Sequence, residues 1–171
     1  MPRPFDADNH YYETADCFTR FIEPKHKDLA IHWTEVDGKK ELLIGDKPYS
    51  FLKNADFETV SAAGSLARSL RKGDHRVEAD GDTTIVTPKE YTTDRDGRVA
   101  LIEEQGLDGA VLLPTLAITV EHFMKDDPVQ TYANLRAFNS WVDDQWGFAY
   151  KDRIFGVPLL SLLDLDLSLI H

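Results

Sequence analysis

The second half of the chain alternates between amphipathic and apolar segments, and this order constrains the fold more than any other feature. Residues 95–105 have the periodicity of an amphipathic helix, and residues 109–114 form a continuous apolar run. A second helix is predicted from Asp127 to about Asp144, and residues 154–160 form a second apolar run. Short apolar runs predict strands that are buried on both faces, as in parallel sheets. The chain is therefore predicted to have a parallel α/β fold.

The N-terminal residues predict smaller elements. Residues 5–8 predict a short strand, and the polar and aromatic residues 9–12 predict a turn after it. Residues 17–22 predict a brief helix, which is expected to end near Pro24. A long polar stretch separates these elements from the regular alternation.

That stretch, from about residue 28 to residue 95, is interrupted by glycine and proline. Asp37-Gly38 separates two runs of alternating polarity, residues 31–36 and 41–44, and this combination is a strong signal for a β-hairpin. We interpret the whole stretch as a hairpin-containing insertion. It is expected to pack over the rest of the fold rather than to form a core.

The C-terminal residues predict an incomplete domain. Residues 159–170 are rich in leucine, and the sequence ends at His171. A strand that leads into a helix should bury that helix against the sheet, but here the helix barely begins. An uncovered sheet edge and a bare apolar stretch are both liabilities for a soluble protein. The alternative, a small complete α/β protein, would need another element to cover the leucines.

Composition and charge restrict the partners. The 171 residues suit one domain, and 42% hydrophobic with 29% charged residues is typical of a soluble globular protein. The formal net charge of −11 repels polyanions, so no nucleic-acid partner is expected. The chain has neither a signal peptide nor an apolar run near the roughly 20 residues of a membrane span, so no membrane partner is expected. Cys17 is the single cysteine and lacks a catalytic motif, and a cytoplasmic protein is predicted.

Asp8 and His10 are the candidate metal ligands. Because they are two residues apart on a predicted strand, their side chains are expected on the same side of it. A carboxylate and an imidazole at the C-terminal end of a strand form half of a divalent metal site, which usually needs three or more protein ligands. On spacing alone, a polar turn with a solvated histidine is the alternative.

Three further residues are candidates for a supporting or substrate-side role. Glu13 lies three residues after His10, where it is placed either to orient a metal ligand or to pair with Arg20. Thr115 follows the first apolar run, and Asp164 follows the second. Barrel active sites are built from loops at the C-terminal ends of the strands, so both are expected near the same face. No catalytic acid or base is identified.

Residues 6–13, Asp-Ala-Asp-Asn-His-Tyr-Tyr-Glu, resemble the opening signature of amidohydrolase family 2. This family includes aminocarboxymuconate-semialdehyde decarboxylase and related aromatic-acid decarboxylases. Its first barrel strand ends in His-x-His or in an acid-x-His variant, and Asp8 and His10 match the variant form. Residues 103–114 resemble the family's helix into the second strand together with that strand. Residues 133–141 resemble the following helix, and residues 152–162 resemble the third strand. The resemblance covers most of the chain, and the insertion is matched least.

The resemblance implies the N-terminal part of a (β/α)8 TIM-type barrel. It implies one domain over residues 1–171, with the insertion at about 28–95. A barrel of this kind typically needs about 250 residues, so the chain is expected to be truncated after the third barrel strand. Further ligands and catalytic groups of the family lie on later strands and have no counterpart here.

The resemblance also implies a metal-dependent hydrolase of the amidohydrolase superfamily that acts on a small carboxylated or aromatic substrate. Asp8 and His10 would hold a divalent ion, zinc or manganese. One alternative is a non-oxidative metal-dependent decarboxylase on the same scaffold, and another is a truncated, catalytically inactive fragment. A small-molecule substrate is the expected partner. Self-association into a homo-oligomer is expected from the resemblance alone.

Overall fold

The computed structural model describes residues 2–52, 55–61 and 85–168. Within these ranges the strands are β1 (Phe5–His10), β2 (Ile31–Val36), β3 (Lys39–Ile44), β4 (Lys47–Pro48), β5 (Val60–Ser61), β6 (Ile85–Val86), β7 (Gly109–Leu113) and β8 (Ile154–Gly156). The α-helices are α1 (Arg95–Glu104), α2 (Glu121–Met124), α3 (Pro128–Gln145) and α4 (Leu165–Ser168). Short 3-10 helices occupy Pro24–Leu29, Glu90–Thr92 and Ala117–Thr119. No helix in the described ranges is long and apolar enough to cross a membrane.

The main sheet consists of β1, β7 and β8, which are parallel and lie side by side in chain order. His10 pairs with Leu113, and Ala110 pairs with Ile154. Parallel neighbours need crossover connections, and α1 and α3 lie in them. The predicted α/β fold with a parallel sheet is confirmed. β1 continues to His10, so the turn predicted at residues 9–12 begins later than expected.

One face of this sheet is buried under the long helices. Ala110, Leu112 and Ile154 are fully buried. They share a core cluster with apolar side chains of α1 and α3: Val99, Ile102, Phe138, Trp141 and Val142. Val111 and Leu113, which alternate with them on β7, are only half-buried, because neighbouring side chains of a strand point to opposite faces. The sheet therefore has one covered face and one partly open face.

Both long helices begin after capping aspartates, and α3 begins at Asp127-Pro128 as the sequence predicts. Asp94 accepts a hydrogen bond from the backbone N–H of Gly97 over 2.5 Å, and Asp127 accepts one from that of Gln130 over 3.0 Å. Pro128 occupies the first turn of α3, where its missing N–H costs nothing. Each cap satisfies a backbone donor that the helix leaves unpaired.

β8 is shorter than predicted. It ends at Gly156, whereas the apolar run predicts a strand over residues 154–160. Pro158 has no N–H to contribute to a strand ladder. The backbone of Leu159 is bound instead by the side-chain amide of Asn139, which both donates to it and accepts from it over 2.8 Å. The segment thus stays attached to α3 after strand pairing has stopped.

The brief helix predicted at residues 17–22 is absent, and these residues lie in consecutive turns. The Asp16 carboxylate accepts hydrogen bonds from Thr14 and Arg20. Such local side-chain bonds compete with the regular backbone bonds of a helix. Pro24 begins a 3-10 helix rather than ending an α-helix.

The predicted hairpin is confirmed, since β2 and β3 pair antiparallel along their whole length. Asp37 and Gly38 have φ values of 50° and 74°, and both central residues of a type I′ turn need positive φ. Ile31, Leu42 and Ile44 of the hairpin join the core cluster that contains Leu112. The insertion therefore shares the core of the main sheet, which differs from the expectation that it only packs over it.

Candidate metal centre

The structure brings Asp8 and His10 together at the C-terminal end of β1. Oδ1 of Asp8 lies 3.7 Å from Nε2 of His10. The side chains are 86% and 40% exposed, respectively. The two-residue spacing on a strand accounts for this placement, because it puts both side chains on one side.

The other ring nitrogen of His10, Nδ1, contacts the backbone just after the neighbouring strand β7. Nδ1 lies 3.1 Å from the carbonyl oxygen of Pro114. A carbonyl only accepts, so Nδ1 must carry the proton and donate it. In the neutral imidazole with its proton on Nδ1, the lone pair is on Nε2, the nitrogen that faces Asp8. Histidines that bind metals commonly donate their second ring N–H to a backbone carbonyl in this way.

Thr115 contributes to the same arrangement. Its hydroxyl donates to the carbonyl oxygen of Tyr11 over 2.6 Å and lies 3.5 Å from Nδ1 of His10. The hydroxyl has a single proton, which is used for Tyr11, so toward His10 it is an acceptor. Both groups that face Nδ1 therefore favour the same tautomer.

Glu13 anchors the loop that follows β7. One carboxylate oxygen, Oε1, accepts from the backbone N–H groups of Thr115, Leu116 and Ala117 over 2.9–3.0 Å. Burial raises the pKa of Glu13 to about 7, while the three backbone donors act in the opposite direction. The other oxygen, Oε2, is buried and has no hydrogen-bond partner among the described residues.

Two roles are predicted for Glu13: to orient a metal ligand or to pair with Arg20. Arg20 donates to Asp16 and Asp144, not to Glu13. Glu13 instead supports the backbone at Thr115, beside His10. The pairing of Glu13 with Arg20 is therefore not present, and a supporting role for a metal ligand stays a prediction.

Arg98 is a residue that the sequence reasoning missed. It is 4% exposed, and it donates to the side chain of Asn9 and to the carbonyl oxygens of His10 (3.0 Å) and Tyr91 (2.8 Å). Its guanidinium also lies over the rings of Tyr91 and Trp146. Burial lowers the pKa of Arg98. The available signal was its position four residues before Ile102, on the buried side of α1.

Asp164 and Cys17 form no hydrogen bond to Asp8 or His10 among the described residues. Asp164 caps α4, where its carboxylate accepts from the N–H of Leu167 over 3.1 Å. In the described part of the chain no hydrogen bond or ion pair joins that carboxylate to Asp8 or His10. Cys17 is buried, and burial raises the pKa of its thiol well above the usual range. It is therefore held as a neutral thiol, which is a poor nucleophile.

A divalent ion fits the space between Asp8 and His10. Ligands lie about 2.1 Å from zinc, so two ligands of one ion are roughly 3.0–3.4 Å apart. The 3.7 Å separation is slightly larger, and the exposed carboxylate of Asp8 has room to close the difference. Among the described residues no group of three or more His, Cys, Asp or Glu side chains is arranged to hold a metal ion. The metal-ligand role of Asp8 and His10 stays a prediction, and two residues would be only part of a ligand set.

The chain is similar to one group of known proteins. No protein-family model and no curated protein matches the chain. Among solved structures, the chain is similar to an amidohydrolase from Mycobacterium avium subsp. paratuberculosis K-10, with 32% identity and a TM-score of 0.88. This likeness supports the amidohydrolase resemblance. It covers 99% of this chain and 45% of that one, so the chain spans less than half the length of that amidohydrolase.

Proposed function

We propose that the chain belongs to a metal-dependent hydrolase of the amidohydrolase superfamily, and that β1, β7 and β8 are the first three strands of a (β/α)8 barrel. Adjacent parallel strands in chain order, joined through helices on one face, support this assignment. The half-buried face with Val111 and Leu113 also supports it, because parallel sheets are normally covered on both faces. Later strands of a barrel would cover it.

The observation that carries the proposal is the placement of the His10 ring. Its Nδ1 lies 3.1 Å from the carbonyl oxygen of Pro114, and its Nε2 faces the Asp8 carboxylate at 3.7 Å. These are the donor atoms for one side of a zinc or manganese ion. When bound, such an ion activates a water molecule or polarises a substrate carboxylate. The C-terminal end of β1 is also where barrel active sites are built.

The residues of the chain itself have distinct roles in this proposal. Asp8 supplies negative charge and His10 a neutral nitrogen, so the pair suits an ion of intermediate softness. Thr115 and the backbone at Pro114 hold the His10 ring. Arg98 holds the backbone carbonyl of His10.

The family resemblance suggests a small carboxylated or aromatic substrate. Phe57 of the insertion stacks on Tyr12 with ring centroids 4.6 Å apart, and Tyr12 is the second residue after His10. The backbone N–H of Tyr12 also donates to the carbonyl of Thr92 over 3.0 Å. These contacts hold the insertion against the segment that follows β1.

Metal binding is the experiment that tests the proposal. Calorimetric titration of the metal-free chain with Zn²⁺ and with Mn²⁺ is expected to show one ion bound per chain. Replacing both ligands, Asp8→Ala with His10→Ala, should weaken binding by at least about tenfold. The matched control is Asp126→Ala with His122→Ala, which removes the same residue types from exposed positions. Equal affinities for the two double variants would contradict the proposed site.

Activity assays follow only if the ion binds. Hydrolysis of small carboxylated amides and release of carbon dioxide from aromatic carboxylates would both be followed, since the two reactions use the same metal scaffold. Turnover that is lost in the Asp8 and His10 variants is expected. Specific metal binding without turnover would favour the alternative of a catalytically inactive chain.

A further inference from the structure

The loop after β7 has an unusual anchor. A loop that follows a strand is ordinarily among the more mobile parts of a protein. Here three successive backbone N–H groups, those of Thr115, Leu116 and Ala117, converge on one oxygen of Glu13. Glu13 and Thr115 are 102 residues apart in the chain. The contact therefore joins the segment after β1 to the segment after β7.

This anchor is a costly way to stabilise a fold. The Glu13 side chain is 5% exposed, and its Oε2 has no hydrogen-bond partner among the described residues. Taking a carboxylate out of water is unfavourable unless all its acceptor sites are satisfied. The amide oxygen of a glutamine would accept the same three bonds with a smaller desolvation cost. What the side chain at this position provides is an acceptor that fixes the backbone of residues 115–117.

The anchored backbone is the part of the chain that contacts the His10 ring. The two acceptors near Nδ1 come from this backbone: the hydroxyl belongs to Thr115, the first anchored residue, and the carbonyl to Pro114, the residue before it. Their distances to Nδ1 depend on where that backbone lies. If residues 114 and 115 moved away by an ångström, neither acceptor would remain within hydrogen-bond distance. A ring without these acceptors is free to exchange between its two tautomers.

We propose that Glu13 is a positioning residue that holds the loop after β7 and thereby locks His10 in the tautomer with a proton on Nδ1 and a lone pair on Nε2. Thr115 is the second member of this arrangement and acts directly on the ring. The inference deepens the proposed metal function and rests on it for its purpose. The tautomer itself is a property of the metal-free protein, so it can be measured separately.

Long-range ¹H–¹⁵N correlation spectra of the metal-free, ¹⁵N-labelled chain test the lock. They are recorded at a pH where the His10 signals no longer change with pH, so that the tautomer of the neutral ring is observed. The His10→Ala variant identifies the His10 signals among those of the six histidines. In the wild type, Nδ1 is expected to be protonated and Nε2 unprotonated. A wild-type ring with its proton on Nε2 would overturn the proposal.

Two pairs of variants separate positioning from general structure. Glu13→Met keeps the length of the side chain but removes the acceptor, and it should shift the His10 proton toward Nε2. Glu103→Met, at an exposed glutamate on α1, should leave the spectrum unchanged. Thr115→Val removes the hydroxyl and should also loosen the tautomer, whereas Thr115→Ser retains the hydroxyl and should restore the wild-type pattern. An unchanged His10 pattern in a folded Glu13→Met variant would refute the role of Glu13.

Backbone amide exchange gives a second measure that does not depend on the folding of any variant. In the wild type, the amides of Thr115, Leu116 and Ala117 should exchange more slowly than those of an unanchored loop. Exchange at the unprotected rate would exclude Glu13 as the anchor.

Zinc titration then distinguishes the two proposals. Glu13→Met is expected to weaken zinc binding by about tenfold, as is typical for residues that orient a metal ligand. A locked tautomer in a chain that binds no zinc at Asp8 and His10 would refute the metal proposal alone. Zinc binding at these residues with a mixed tautomer would refute the positioning role alone.

Discussion

The covered face of the parallel sheet and the C-terminal end of the same sheet are held together by different forces. On the covered face, Leu112 and Ile154 are fully buried among apolar side chains of the helices. At the C-terminal end, Glu13 and Arg98 are buried polar groups that bind backbone atoms. Apolar burial stabilises the covered face. At the C-terminal end, burying polar groups costs free energy, and their hydrogen bonds fix the positions of a few backbone atoms. The difference indicates that the fold and the site can be perturbed separately.

The largest expected effect is on the covered face. Phe138 on α3 is fully buried, and it packs against Phe18 and Trp141. Phe138→Ala should lower the free energy of unfolding by about 3–5 kcal/mol, because it removes a large apolar side chain and leaves a cavity. Urea denaturation measures this loss. Phe51→Ala, at a position that is 66% exposed, is the control and should change stability by less than about 0.5 kcal/mol. Similar losses in both variants would contradict the assigned core.

Glu13 should give the site region a pH dependence that the covered face lacks. Its pKa is raised from 4.5 to about 7 in the folded chain. The protonated form is thus favoured by folding, so the stabilisation is fully present below pH 4.5 and is lost as the pH rises to about 7. The loss is about 3 kcal/mol.

Urea denaturation across this pH range, on the wild type and on Glu13→Gln, isolates the contribution of Glu13. The difference in unfolding free energy between the two proteins should fall between pH 4.5 and 7 and stay constant above that window. A difference that is independent of pH would show that Glu13 does not titrate in this range.

Arg98 should connect stability with the site. Arg98→Met keeps much of the apolar contact but removes the donors to Asn9, His10 and Tyr91. A loss of about 2 kcal/mol is expected, since hydrogen bonds from charged groups are the stronger ones. Zinc affinity should fall as well. Arg136→Met, which breaks an exposed ion pair with Glu23, should have a much smaller effect on stability and none on zinc binding.

The smallest expected effect is in the hairpin. Gly38 has a φ of 74°, and no atom lies within 4 Å of a Cβ built there. Gly38→Ala should therefore cost only the strain of a left-handed backbone, about 1 kcal/mol. Thermal denaturation measures this loss, and zinc affinity should not change. A changed zinc affinity would mean that the hairpin and the site are coupled more closely than their contacts indicate.

Several elements of the fold were predictable because their signals are local. The apolar run that becomes β7, the capping Asp127 and the Asp37-Gly38 turn each depend on residues within a few positions. The prediction of β8 was too long, because an apolar run does not reveal where strand pairing stops. The helix predicted at residues 17–22 was wrong because the Asp16 side chain binds its neighbours instead.

The candidate site was only partly predictable. The two-residue spacing of Asp8 and His10 on a strand was sufficient to expect them on one side, and the resemblance of residues 6–13 suggested their chemistry. The role of Glu13 remained open, since its partners lie about a hundred residues away. Arg98 was missed because its spacing from Ile102 indicates only the buried side of α1, and its partners Asn9, His10 and Tyr91 are not evident from the sequence.

By itself, the sequence determined the α/β alternation, the hairpin and the acid-x-His motif, since periodicity, turn chemistry and residue spacing act over short distances. Only the tertiary structure decided that the insertion shares the main core, that Glu13 holds the loop at Thr115, and that Nδ1 of His10 faces Pro114. These contacts join residues that are distant in the chain. Their hydrogen bonds depend on differences of tenths of an ångström, which become defined only when the three strands are packed side by side.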